Sequence, residues 1–487
     1  MNSSPVPWLR CLSLLALWAA CLAAAEPRPL RVSPEGRQLV DAEGRPVFLL
    51  ADTAWSLALR LSREDAEFYL RRRLAQRFNA VTFVLFSPGR TELHGSLANA
   101  YGDEAFDRAG ERPDPTRPRV TPGADPADAA QYDYWDHADH LVRLARRLGL
   151  YVILLPTWGS GVVGSYNGQD RSDIVFDAAN ARVYGRWVAA RYRDEPHVLW
   201  MLGGDRAAVE GPNDYRPVFR AMADGLLDGA PGRLISYHPR KSAPQSGAFF
   251  HGDGWLAFNS VQDWPEKQIG HMTEDWARVP AKPTWLFEGR YEGYWKANYK
   301  AGDWGEWQVR QQAYQTVFAG AFGHTYGHER VFGFGYDGVD WKAHLDAPGA
   351  RSLTHLSALF GGFAPDELLH RVPDPELLDG DIGQAGRTTS TRSIGLHLAG
   401  GRGAMVYSAS GRPVRVKLDR LTAPSLNARW FNPRNGRWHV DSRETPEPRW
   451  FARDLAAGPG AAPRTFYPPS SGEGQDWVLV LSADAKG

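Results

Sequence analysis

Between about residue 46 and residue 334, short apolar and β-branched runs alternate with longer stretches whose apolar positions recur three or four apart. Alternation of this kind predicts βα units around a parallel sheet. Eight runs stand out, at 47–51, 80–86, 151–156, 198–202, 234–237, 256–261, 284–287 and 324–334. The intervening spacing predicts helices, among them 63–77 with Ser62 as N-cap and 134–148 stopped by Gly149. Eight such runs in about 300 residues suit a (β/α)8 TIM barrel of the α/β class. An open doubly wound sheet is the alternative, but no glycine-rich dinucleotide fingerprint follows the first run. Beyond about Gly362 the pattern changes to short strands of period two, at 393–398, 403–408, 414–418, 428–431 and 477–482, separated by Gly, Pro and Asn. We expect a small all-β sandwich there, with the proline-rich stretch 446–469 as a long loop. The expected division is 1–25, 26–364 for the barrel and 365–487 for the β-domain.

The segment 1–25 carries Arg10, then an apolar run, then Ala23-Ala24-Ala25 before Glu26. That order predicts a secretory signal peptide. The run is too short for a hydrocarbon layer of roughly 30 Å, so no transmembrane helix is expected. Both cysteines, Cys11 and Cys21, fall inside this segment, so a processed chain would hold no disulfide, thiolate zinc site or cysteine nucleophile. The stretch Trp18-Ala19-Ala20-Cys21 admits another reading, a lipoprotein anchored through Cys21, although an aliphatic residue is usual where Trp18 stands. A secreted or periplasmic location follows from either. The chain has 56 basic and 56 acidic side chains, a balance that offers no electrostatic footprint for phosphate backbones and argues against nucleic acid as a partner.

Catalytic groups in such barrels stand where strands end at one mouth. The fourth run continues into Gly203-Gly204-Asp205-Arg206 and the seventh into Glu288-Gly289-Arg290-Tyr291-Glu292. Asp205 and Glu288 therefore form a candidate pair of carboxylates, the requirement for cleaving a glycosidic bond with one protonated acid and one ionised one. Trp55, Trp158, Trp264, Tyr291 and Tyr326 also fall near strand ends, and flat rings suit the C–H faces of sugars. Asp52, His238, Gln262, His324 and His328 add polar groups to the same rim. Asp133, Asp136, His137, Asp139 and His140 crowd one stretch and could share a metal, as could His324, His328 and Glu329. An acidic first helical turn favoured by the helix dipole, with solvated histidines, accounts for the first cluster without one. No Gly-x-Ser-x-Gly elbow occurs.

The segment Leu50-Ala51-Asp52-Thr53-Ala54-Trp55, the stretch Phe78-Asn79-Ala80-Val81, the run from Trp200 to Arg206 and the segment from Glu288 to Glu292 together resemble the apiosidase-like glycoside hydrolases, family 140. The stretch Ala428-Arg429-Trp430-Phe431-Asn432-Pro433-Arg434-Asn435-Gly436 resembles the β-domain that accompanies this family, one labelled collagen-binding. The resemblance implies a retaining exo-hydrolase that releases apiose from pectic rhamnogalacturonan II, with Asp205 as acid/base and Glu288 as nucleophile. Where the family often has Glu-Pro-x-Tyr-Glu, this chain has Glu288-Gly289-Arg290-Tyr291-Glu292, which leaves Glu292 as a reserve nucleophile. The expected substrate is an oligosaccharide or polysaccharide, bound through Asp52, Trp55, Trp158, His238, Gln262, Tyr291, His324 and Tyr326. No cofactor and no metal are expected. A non-catalytic polysaccharide-binding protein on a degenerate barrel and a metal-dependent hydrolase are the competing expectations, and the oligomeric state stays open.

Overall fold

The computed structural model describes residues 26–88, 93, 96–294, 304–440, 443–445 and 450–483. The segment 1–25, with Cys11 and Cys21, lies outside them. Eight parallel strands form the first domain: β1 (Leu49–Thr53), β2 (Ala80–Val84), β3 (Tyr151–Leu155), β4 (Val198–Gly203), β5 (Ile235–His238), β6 (Asn259–Gln262), β7 (Thr284–Glu288) and β8 (Gly323–Tyr326). They are ordered 5-4-3-2-1-8-7-6. The seam between β5 and β6 is closed by the Ala257 N–H donating to the Ile235 carbonyl at 2.8 Å, and by Ser236 donating to the Phe258 carbonyl at 2.6 Å. Strands β1 to β4 are buried along their whole length, which explains why they read as continuous apolar runs.

One helix follows each strand: α1 (Arg63–Ala75), α2 (Tyr134–Arg147), α3 (Ala178–Arg191), α4 (Arg216–Gly229), α5 (Ser246–Phe250), α6 (Pro265–Ala277), α7 (Glu306–Phe318) and α8 (Pro348–Gly361). Ser62 caps α1 by accepting the Asp65 N–H at 3.2 Å. Asp133 caps α2, accepting from Trp135 and Asp136, while Asp136 accepts the Asp133 N–H in return. The acidic stretch is thus a capping box. Its histidines are not solvated as expected: His137 is fully buried and His140 half-buried, and burial lowers both to about 4. Among the described residues no group of three or more His, Cys, Asp or Glu is placed to hold a metal ion. Nor is any helix there long and apolar enough to cross a membrane.

Two expectations for strands need correction. The eighth strand stops at Tyr326 and does not run on to 334, because the Tyr291 ring occupies the space beside Gly327 that a continuing strand would need for side chains. The stretch 446–469 is not wholly a loop. It contains strand Ala452–Ala456, paired with Ser425–Asn432, and strand Arg464–Phe466, paired with Val414–Val416. Gly458, Gly460 and Pro463 between these strands mask their short alternation.

The second domain is an antiparallel sheet whose centre runs β9 (Ile394–His397), β10 (Gly403–Ser408), β12 (Trp477–Ser482) and β11 (Ser425–Asn432), facing a three-stranded sheet. Its opposite face shares one hydrophobic core with the barrel helices, including Tyr314, Phe318 and Leu353 on one side and Met405, Tyr407 and Val480 on the other. Helix α7 lies between the two and is buried almost all round. Across this contact Arg310 grips Asp476 with two hydrogen bonds of 3.1 and 3.0 Å. Trp307 donates to the Ala409 carbonyl at 2.9 Å, and Tyr314 stacks on Tyr407 at 4.9 Å.

Candidate active site

A cavity of about 430 Å³ opens at the carboxyl ends of the strands. Of the residues singled out from the sequence, Asp205, Glu288, Trp55, Trp158, Gln262, Tyr291, Trp264 and Glu329 line it. It is also bounded by Tyr166, Arg206, Lys241, Asp263, Arg290 and Tyr336.

Asp205 follows two glycines, and all three have left-handed backbones, with φ of 91° at Gly203, 87° at Gly204 and 53° at Asp205. A Cβ on Gly203 would stand 2.2 Å from the His238 carbonyl oxygen, and one on Gly204 would stand 2.6 Å from the Gly159 nitrogen. Only glycine fits either place, and the sharp turn directs Asp205 into the cavity. Its Oδ1 is buried with no hydrogen-bond partner. Burial of the carboxyl, reinforced by repulsion from Glu288, raises its pKa to about 7, against the opposing pull of His238, Arg206 and Lys241.

Glu288 ends β7 on the same cavity. Its Oε1 accepts from the Tyr291 hydroxyl at 2.6 Å, and that hydroxyl accepts the Trp55 indole N–H at 2.7 Å. The sequence Glu288-Gly289-Arg290 is held by Gln312 of α7, whose side-chain amide accepts the Arg290 N–H at 2.9 Å and donates to the Arg290 carbonyl at 2.7 Å. A Cβ on Gly289 would stand 2.6 Å from that amide, so glycine there lets the helix approach the strand end.

His238, fully buried at the end of β5, touches both acids. The Asp205 N–H donates to its Nδ1 at 3.3 Å, which leaves the proton on Nε2, 2.8 Å from Glu288 Oε2 in a contact too bent to be a full hydrogen bond. Stacking on Trp55, with ring centroids 5.4 Å apart, fixes the imidazole plane.

Three of the residues expected to bind substrate lie elsewhere. Asp52 is buried in an ion pair with Arg73 at 2.6 Å and accepts from Tyr69, so its charge is spent between the barrel wall and α1. His324, in register with Leu50 and Leu286 on the face of the wall that meets the helices, is fully buried with neither nitrogen hydrogen-bonded, and burial lowers it to about 3. Tyr326 donates to Glu292 Oε2 at 2.6 Å. Glu292, the reserve nucleophile, also accepts the Gly349 N–H at 3.0 Å at the start of α8, so it ties loop to helix and lies off the cavity. The sequence reading passed over Tyr166, Arg206, Lys241 and Asp263. The first is on a loop without periodicity. Arg206 and Asp263 each directly follow a residue that drew attention, and their position one to three residues past a strand end was the available signal.

Residues 33–364 match the family model "Apiosidase-like, catalytic domain", and residues 372–482 match "Putative collagen-binding domain of a collagenase". No curated protein matches the chain. Among solved structures, one described as a glycoside hydrolase is 26% identical with a TM-score of 0.77, the match covering 94% of this chain and 98% of that one. A family 5 glycoside hydrolase from Bacteroides vulgatus ATCC 8482 is 27% identical with a TM-score of 0.76, covering 94% of each chain. Barrel and β-domain recur together in these relatives, around a carbohydrate-cleaving fold. The chain belongs to the apiosidase-like family and is a glycoside hydrolase.

Proposed function

We propose that this glycoside hydrolase removes a terminal pentose of the apiose type from a pectic polysaccharide by a retaining mechanism. It acts outside the cytoplasm after loss of the segment 1–25, with catalytic domain 26–364 and β-domain 365–487. Glu288, ionised, attacks the anomeric carbon while Asp205 gives its proton to the departing glycosidic oxygen. Water, activated by the ionised Asp205, then attacks the glycosyl-enzyme from the same face and frees Glu288. Tyr291 and His238 hold the attacking carboxylate. Trp55 and Trp158 offer flat surfaces to the sugar ring, and Gln262 offers an amide.

The observation that supports this reading best is two carboxyls on one cavity, with Asp205 buried and its Oδ1 without a hydrogen-bond partner. Asp205 is driven toward its neutral form by burial and by the charge of Glu288, the division of labour that double displacement requires. The cavity lies toward the small end of ligand pockets, roughly 300 to 1,000 Å³, which suits a single terminal sugar. The match to the apiosidase-like family model supports the choice of the pentose, and the pectic chain is proposed with it.

The test is hydrolysis of apiosyl glycosides and rhamnogalacturonan II fragments, with the first-formed anomer followed by NMR. The expected product keeps the substrate's anomeric configuration, and an inverted product rejects the nucleophilic role of Glu288. Asp205→Asn and Glu288→Gln each lower turnover by at least about a hundredfold. Near-normal turnover in either removes that residue from its role.

A further inference from the structure

Trp264, at the N-cap of α6, forms one wall of the cavity, and three cations lie over its indole. Lys241 Nζ is 4.9 Å from the ring centroid, Arg290 Cζ 4.5 Å and Arg387 Cζ 3.9 Å. The first two belong to the barrel. Arg387 comes from the second domain.

Its position is built with care. Residues 384–391 form a loop whose base is closed by the Thr391 N–H donating to the Gln384 carbonyl at 2.9 Å. That base is fastened to α7, where Gln311 donates to the Ser390 carbonyl at 2.6 Å and accepts the Ser390 N–H at 3.1 Å. At the tip, Gly386 passes so near the Thr389 carbonyl oxygen that a Cβ would stand 2.0 Å from it. The tight turn carries Arg387 across to the indole.

The three charges all lie within roughly 10 Å of one another, about one Debye length at 0.1 M salt. Neither Lys241 nor Arg387 forms an ion pair with any described residue. The nearby Asp263 is already engaged, accepting from the backbone of Ser242 and Trp264 and contacting His271 at 2.9 Å. Lys241 and Arg290 share the cavity with Asp205, Glu288 and Asp263, but among the described residues no carboxylate forms an ion pair with Lys241 or Arg387, so a ligand with negative charge placed against these two cations gains an attraction the protein leaves unused.

We propose that the second domain completes the substrate site: Arg387, acting with Lys241 at the Trp264 wall, is a specificity residue for a carboxylate-bearing sugar unit beside the cleaved bond. This rests on the glycosidase reading only in taking the ligand to be a sugar chain.

The test uses the full chain and two probes, trigalacturonate and its carboxyl-reduced counterpart, with binding followed by calorimetry and by Trp264 fluorescence. The wild type binds the charged probe roughly tenfold more tightly, the worth of a charge-assisted contact. Arg387→Ala removes most of that preference without changing affinity for the neutral probe, and Arg387→Lys restores part of it. High salt weakens the charged probe alone. The proposal fails if wild type shows no preference, if neither probe binds, or if Arg387→Ala weakens both probes equally. Glu288→Gln separates the two readings. A variant that retains the binding preference supports this inference even where hydrolysis fails, and an active wild type without preference overturns it while leaving the hydrolase reading in place.

Discussion

Asp205 sets the pH behaviour. Its raised pKa of about 7 means that the proton needed by the leaving group is lost as pH rises through neutrality, so kcat/KM should fall on the alkaline side with an apparent pKa near that value. The same shift affects stability. An unfolded aspartate titrates near about 3.9, and the folded group holds its proton well above this, so the stability it confers is complete below pH about 4 and is lost as pH rises toward 7. Asp205→Asn, neutral at every pH, should therefore match the wild type's melting temperature at pH 4 and exceed it at pH 8. A variant no more stable than wild type at pH 8 contradicts the assigned burial. Both acids were legible in the sequence because an apolar run leading into a single carboxylate is an unusual local pattern. The role of His238 was only half legible: its place at a strand end could be read, but its bridging of the two acids depends on the side-chain directions of β4, β5 and β7. Asp52, near the end of its run, and His324, at the start of the eighth, turned out to face the helix layer, on the same side of the wall. Short apolar runs buried on both faces do not tell which side of the barrel wall a polar residue occupies.

At the scale of elements, β4 and its turn are where strain is concentrated. Three successive left-handed residues are tolerated because the neighbouring backbone of β5 and of the β3 loop leaves no other course. Gly204→Ala should cost roughly 1 to 3 kcal/mol, the range for backbone held in a sparse region. It should also lower activity far more than its effect on melting implies, because the turn aims Asp205. Circular dichroism melts alongside turnover would show both, and full activity at reduced stability would separate the turn from aim. Elements with strong periodicity or an explicit cap were recovered to within a few residues, as with α1 behind Ser62 and α2 behind Asp133. The hairpin of Phe106–Ala109 and Arg112–Pro118, inserted between β2 and α2, was not. Its sequence is polar and proline-bearing, and pairing across the hairpin supplies the order that side-chain pattern does not.

For the whole molecule, the two domains share a core and a helix. Asp476 is fully buried against Arg310, so Asp476→Ala leaves the buried guanidinium with only the partly exposed Glu306 as a counter-ion and should destabilise the chain by up to about 3 to 5 kcal/mol. Denaturant unfolding should show a single transition in the wild type, and two well-separated transitions would deny the shared core. The two-domain architecture was visible in the change of pattern after Gly362. The join was not, because it runs through polar contacts that carry no periodic signal: Gln311, Gln312 and Gln315 of α7 bond the other domain or the strand-seven turn.

The Arg310 to Asp476 pair spans 166 positions of chain. During synthesis the seventh helix emerges long before Asp476, so the nascent barrel holds Arg310 with Glu306 alone and an uncovered apolar flank until the strand Trp477–Ser482 leaves the ribosome. A chain released early would present that flank to chaperones and proteases. A chain truncated before residue 476 should therefore be cleaved faster than the full chain in limited proteolysis.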